Sequence, residues 1–251
     1  MLLCRQSPCA KKTLGVFLVL LGVFAATQGI QARTQLTLME ERDAAAVLCD
    51  GRVLFRIRYR GPFASCEERA RVILKRLQEV FSSAWKSPPT FYLVREKGGA
   101  LSAFCGGKRL FSIFREDASL NASNPLDLAV VWLNNVQLAF YGVSERTCGV
   151  TKEFDGLASF CHPKFDGRKT ASGEVYSSYA FTAAHRTLPI GSVLLVTNPE
   201  NKRQVVVKVN DRGPWKRNRA IDLSLVAAKV LGIEEEGVSK VRVEVIAWQK
   251  R

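Results

Sequence analysis

The run Val205-Val-Val-Lys-Val-Asn-Asp-Arg-Gly-Pro214 constrains this chain more than any other. Its alternating valines ask for a strand, and Asp-Arg-Gly-Pro ends that strand abruptly, throwing a charged pair into a turn. Core filling does not ask for that combination, whereas a site at a strand end does. Two further glycine-punctuated segments lie upstream, Thr170-Ala-Ser-Gly-Glu174 and Phe181-Thr-Ala-Ala-His185-Arg-Thr-Leu-Pro-Ile-Gly191. Short strands between turn signals, with one helix over Leu225 to Leu231 ended by Gly232, predict a small closed barrel. Val193, Leu195, Val205, Val207, Val209, Val241, Val243 and Val245 would fill it. Any groove then lies on the outside, where a long polymer fits better than a small cofactor.

The N-terminus reads differently. A basic start with Arg5, Lys11 and Lys12 precedes an apolar run from Leu14 to Ala26 and a polar stretch ending at Ala32. That run is short for a hydrocarbon core of roughly 30 Å, so residues 1–32 read as a secretory signal peptide, with an uncleaved helical anchor as the alternative. No stable membrane anchor is expected after cleavage. Cys4 and Cys9 precede the apolar run, which excludes the cysteine placement of a lipoprotein signal. The net charge of +14 is spread through both halves of the chain. Such a diffuse field favours polyanions, which for an exported protein means wall carboxylates or acidic surface polymers before nucleic acid. Beyond residue 32 lie Cys49, Cys66, Cys105, Cys148 and Cys161. Export makes disulfides plausible, and a bridge between Cys148 and Cys161 is expected. None has metal-ligand spacing, and with His162 and His185 the only histidines, no metal site and no cofactor are expected.

Residues 33–145 predict a two-layer α+β domain. Val47 to Tyr59 alternates around Asp50-Gly51 as a hairpin would. Ser65-Cys-Glu-Glu68 matches a capping box ahead of apolar positions Ala70, Ile73, Leu74, Leu77, Val80 and Phe81 at helical spacing. Strands follow at Thr90 to Arg95, Ala100 to Cys105 and Arg109 to Phe114, then a helix from Asn124-Pro125. Arg56, Arg58 and Arg60 share a strand face and read as a solvated face. Nothing in this domain carries recognisable chemistry; wall binding is the expectation for it. Gly142 to Thr151 is the linker, and 150–251 the second domain.

The motifs around Glu174, His185 and Asp211, with Arg219-Ala-Ile-Asp-Leu-Ser224 and Ala227-Ala228, closely resemble the double-psi β-barrel domain of the rare lipoprotein A family, over about the last hundred residues. The resemblance implies an exported peptidoglycan lytic transglycosylase, a lyase of the periplasm or cell wall that cuts the MurNAc-GlcNAc β-1,4 bond to leave 1,6-anhydro-MurNAc ends. The alternative, by similarity to expansins, is a non-catalytic module that binds or loosens the wall. Phe160-Cys161-His162 stands where relatives show an aromatic-tyrosine-glycine run, which would reshape that edge of the groove. No septal-glycan-binding domain follows the barrel before Arg251, so recruitment to the division site is not expected; the oligomeric state is left open.

Glycosidic cleavage needs a proton donor for the leaving oxygen and stabilisation of an oxocarbenium-like state. A lytic transglycosylase manages with one acid, which afterwards takes the proton of the muramic 6-hydroxyl. The resemblance places that acid at Asp211, the alternative being an aspartate that caps the turn or pairs with Arg212. Glu174 and His185 match the family's other catalytic positions; a turn carboxylate and a structural histidine are the respective alternatives. Ser172, Arg168, Arg186, Asn210, Arg212, Asp222 and Trp215 are the expected substrate contacts. An arginine would fork a lactyl carboxylate, and Trp215 would stack on a sugar or pack on the barrel. Asp222 is also expected to cap a helix beginning near Leu223.

Overall fold

A computed structural model describes residues 34–143, 149–216 and 218–246. The expected signal peptide lies outside the described residues, and so does Cys148. Among the described residues no helix is long and apolar enough to cross a membrane.

The N-terminal half has two antiparallel three-stranded sheets. The first is β1 (Leu36–Glu41), β2 (Ala44–Cys49) and β3 (Arg52–Ile57) in that order. Its β2–β3 turn puts Asp50 and Gly51 at φ 48° and 79°, the left-handed pair that a two-residue hairpin requires. Helix α1 (Cys66–Phe81) is capped as its sequence predicts: the Ser65 hydroxyl accepts from Glu68 N at 3.0 Å, and the Glu68 carboxylate accepts from Ala64 N at 2.7 Å. The second sheet is β4 (Phe91–Arg95), β5 (Leu101–Cys105) and β6 (Lys108–Ile113). Helix α2 (Arg115–Leu120) follows, then α3 (Pro125–Phe140), capped by Asn124 with proline in its first turn. Strand β1 and helix α2 are not foreseen in the sequence reading.

Arg69 and Asp117, 1% and 0% exposed, close this half from inside. The guanidinium meets both carboxylate oxygens at 2.8 Å and also donates to the carbonyls of Tyr59 and Ser112. Two buried charges thus satisfy each other completely, the condition under which such a pair is tolerated.

The C-terminal half is a six-stranded closed barrel in the order β10-β8-β11-β7-β12-β9. The strands are β7 (Val150–Phe160), β8 (Thr182–Ala184), β9 (Val193–Thr197), β10 (Gln204–Asp211), β11 (Ile221–Leu223) and β12 (Val238–Ile246), with helix α4 (Leu225–Leu231) between the last two. β8 runs parallel to β10 and β11 parallel to β7, while the other pairs are antiparallel. This is the expected double-psi β-barrel following an α+β half. Strand β7 begins inside the segment read as linker. The expected barrel-filling residues are buried except Val245, which is half-buried, but the register puts Leu194 and Val196 on the face of Val205, Val207 and Val243, and the expected Val193 and Leu195 with Val206 on the other face, which is buried too. Helices α3 and α4 pack against β10. Gly232 ends α4 at φ +68°, and a Cβ there would lie 2.7 Å from Arg203 Nη1, so conformation and space both favour glycine.

The two halves are joined along more than their connecting chain. Phe181 N donates to Phe91 O and Leu93 N to Tyr179 O, both at 2.9 Å, so β4 is paired to the segment that leads into β8. Asn134 on α3 donates to Gln204 O at 3.0 Å, and Lys229 on α4 meets Asp127 on α3 at 2.9 Å. Phe81, Phe91 and Phe140 belong to the same hydrophobic cluster as Phe181, Val206 and Leu231.

Candidate active site

The parallel pair β8 and β10 brings the three motifs together. Past Ala184, His185 N donates to Asp211 O at 3.1 Å, and a register shift between Val209 and Asp211 turns the strand end outward. The Thr170–Glu174 turn folds onto that end: Ser172 N donates to Asn210 O at 3.0 Å and Ala171 N to Asp211 Oδ1 at 2.9 Å. Oδ1 takes a second bond from Arg212 N at 2.8 Å. Among the described residues no hydrogen bond reaches Oδ2. Asp211 is half-buried. It therefore does cap its own turn, but through one oxygen only, and its carboxylate is not paired with Arg212.

Glu174 has both oxygens engaged. Lys208 Nζ lies 2.6 Å from Oε1 and Asn210 Nδ2 3.0 Å from Oε2. Burial by itself would push this carboxyl up, but the hydrogen bonds from Lys208 and Asn210, with the Lys208 charge, outweigh it and hold it below the usual carboxylate range. Glu174 is thus an ionised acceptor rather than a proton donor. His185 Nδ1 accepts from Leu188 N at 3.0 Å and Thr187 N at 3.2 Å, a pattern that assigns its proton to Nε2. Burial first, then the charges of Lys152, Arg212 and Arg186, keep the imidazole below its ordinary value and so neutral near pH 7. Its ring rests against Phe154, with centroids 5.5 Å apart.

The arginines have backbone duties that the sequence reading did not foresee. Arg186 donates to the carbonyls of Pro214, Lys216 and Arg219 at 2.6 to 2.8 Å, tying down the loop beyond the Asp-Arg-Gly-Pro turn. Arg212 donates to Leu188 O at 2.9 Å and His185 O at 3.2 Å. Both hold groups of the site in place. Arg168 lies outside this cluster, its guanidinium over the Phe165 ring at 5.0 Å. Ser172 exchanges a hydrogen bond with Thr170 at 2.9 Å and accepts from Glu174 N at 3.3 Å. Trp215 is 79% exposed and so does not pack into the barrel.

Asp222 does not cap the helix. Helix α4 begins at Leu225 with Ser224 at its cap position, and Asp222 lies in β11, where its Oδ1 accepts the Ser159 hydroxyl. Ser159 Oγ in turn accepts from Arg219 Nη1 at 2.9 Å. Asp222 is nonetheless close to the site: a Cβ on Gly213, whose φ is +138°, would be 4.0 Å from its Oδ2. Cys161 carries a free thiol; Cys148, its expected partner, lies outside the described residues. Burial first, then the charges of Asp222 and Asp211, push that thiol up to about 11, so it stays protonated and weakly nucleophilic. Tyr176 donates to Cys161 O at 3.2 Å, shaping the edge where the aromatic-tyrosine-glycine run is missing.

Sequence reasoning missed Lys208, Ser159 and Arg219. Lys208 was within reach, since strand periodicity puts it on the same face as Asn210. No group of three or more potential ligands for a metal ion occurs among the described residues.

Residues 154–243 match the family described as lytic transglycolase, and residues 46–141 match one described as a domain of unknown function. The matched residues 154–243 fall within the closed barrel of the C-terminal half. Over this region the chain is similar to proteins named endolytic peptidoglycan transglycosylase RlpA. The one from Haemophilus influenzae is 59% identical over 92 residues, 37% of this chain and 32% of the relative. The one from Helicobacter pylori is 38% identical over 149 residues, 56% of this chain and 48% of the relative. The chain spans about a third to a half of the length of these curated relatives. Among solved structures, Streptomyces papain inhibitor covers 39% of this chain and 97% of its own at 20% identity and a TM-score of 0.32. An apo Clavibacter michiganensis expansin covers 39% and 52% at 20% identity and a TM-score of 0.33.

Proposed function

We propose that this protein is an exported peptidoglycan lytic transglycosylase whose barrel, over 150–251, cuts the MurNAc-GlcNAc β-1,4 bond, with the α+β domain over 33–145 contacting the wall. The observation that carries the reading is the asymmetry of Asp211. Two backbone N–H groups anchor Oδ1, so a proton on this carboxyl belongs on Oδ2, the oxygen without a partner among the described residues. In the first step Oδ2 gives its proton to the glycosidic oxygen as the bond to C1 breaks. In the second the same oxygen, now a carboxylate, takes the proton of the muramic 6-hydroxyl as O6 closes onto C1. No water and no second acid are consumed.

In this scheme Glu174 is an anchoring anion. His185 offers a neutral Nε2–H to a sugar oxygen. Asn210, Ser172, Asp222 and the exposed Trp215 line the approach, Arg186 and Arg212 brace it, and Arg168 meets the strand further out. The relatives' names supply the substrate class, and the basic charge of +14 suits an anionic wall polymer.

The test is product analysis. Purified protein incubated with peptidoglycan, and with strands stripped of stem peptides, releases fragments ending in anhydro-muramic acid. Ordinary reducing ends would show hydrolysis instead. Wall pull-down with no release would replace this reading with a binding module of the expansin kind.

A further inference from the structure

We propose that Lys208 is a positioning residue, which by holding Glu174 latches the Thr170–Glu174 turn over Asp211; this rests on the function proposed above. Lys208 and Asn210 are two residues apart on β10 and project to the same outer side, while Val207 and Val209 between and beside them are fully buried. One carboxylate grips both: Glu174 takes Lys208 through Oε1 at 2.6 Å and Asn210 through Oε2 at 3.0 Å. The Lys208 side chain is only 12% exposed. A long cation pressed down on a valine-rich strand is held there by its partner, because an ammonium without one would turn out to water.

The grip has a consequence three residues away. The turn that Glu174 closes carries Ala171, whose N–H is one of the two donors on Asp211 Oδ1. Thr170 N donates to Glu174 O at 2.9 Å, which makes the turn a single closed unit. Fixing Glu174 against β10 therefore fixes the Ala171 N–H against Asp211. Releasing Glu174 removes that constraint and lets the Asp211 carboxyl choose which oxygen carries its proton. The charged and titratable groups around Glu174 are Lys208 and Asp211 from β10, Lys169 from its own hairpin, and His185 beyond β8. Of these only Lys208 meets the carboxylate, with neutral Asn210 on its other oxygen.

Lys208→Met and Lys208→Gln remove the charge, and Lys208→Arg keeps it. The carboxyl carbon of Glu174, followed by nuclear magnetic resonance against pH, should titrate at least about one pH unit higher in the first two variants and near its original position in the third. The acid limb of glycan release should move up by the same amount, with Arg restoring it, and Glu174→Gln placed on Lys208→Met should abolish that limb. An unmoved Glu174 titration, or a fall in release that is equal at every pH, overturns the proposal. If the wild type releases no glycan, the transglycosylase reading fails, while the carbon titration still decides whether Lys208 holds Glu174.

Discussion

Each half of the molecule has an aspartate whose carboxylate accepts from backbone N–H, and the two differ in what is left over. Asp117 is 0% exposed and has both oxygens occupied, by Arg69 and by the N–H of Phe114. Asp211 is half-buried, with Oδ1 doubly bonded and no partner at Oδ2 among the described residues. A carboxylate whose capacity is filled by the protein can only stabilise, whereas one left partly unfilled on a rigid strand end is available to something else. The same contrast separates the arginines. Arg69 is consumed by the interior, while Arg186 and Arg212 are bonded to backbone carbonyls around the site.

The comparison breaks most sharply at Asp117. Asp117→Ala leaves the Arg69 charge buried without its partner, and should cost about 3 to 5 kcal/mol of stability, measured by denaturant unfolding. A loss under about 1 kcal/mol, the range of an exposed pair, would mean that the clamp is wetter than its burial indicates. Asp211→Asn comes next, with the opposite signature: release of anhydro-muramic ends should fall at least about a hundredfold at an unchanged thermal midpoint and unchanged wall pull-down. Near-normal release from a folded variant would remove Asp211 from the proposed mechanism.

A pH test separates structural from open groups at His185. Its folded value is depressed below the ordinary 6.5, so its contribution to stability is fully present above that pH and is lost as the pH falls through the folded value. The gap in thermal midpoint between wild type and His185→Ala should therefore be widest at neutral pH and shrink in acid. A gap that grows in acid would mean that protonated His185 is the favoured form. The smallest expected effect is at the joint between halves: Lys229→Met breaks the partly exposed bridges to Asp127 and Glu234 and should cost less than about 1 kcal/mol. A larger loss by chemical denaturation would show that the joint carries stability beyond those two ion pairs.

The legible parts of the fold were those with local causes. Ser65 and Glu68 marked the start of α1, Asn124-Pro125 that of α3, and Gly232 the end of α4, because caps and breakers act within a few residues. The candidate site was legible as a set, since each motif pairs a turn signal with a charge that a turn alone does not need. Its interior wiring was not. Nothing near Lys208 in the chain announces Glu174, 34 residues earlier, and Ser159 meets Asp222 only because β7 and β11 happen to be parallel neighbours. Asp222 looked like a helix cap for a similar reason: Asp-Leu-Ser offers two cap candidates, and the backbone chose Ser224. Burial of both faces of β10 was equally hidden, because part of its cover comes from α3, a helix more than 50 positions upstream, beside α4.

The seam at β4 carries a consequence for how the molecule opens. The amides of Leu93 and Phe181 come from different halves, yet each donates to a carbonyl of the other half. Neither proton can exchange with solvent deuterium until the seam parts, so both report one shared opening free energy. Protection measured at Leu93, far from any candidate catalytic group, is thereby also a measure of how firmly the segment leading to His185 is held.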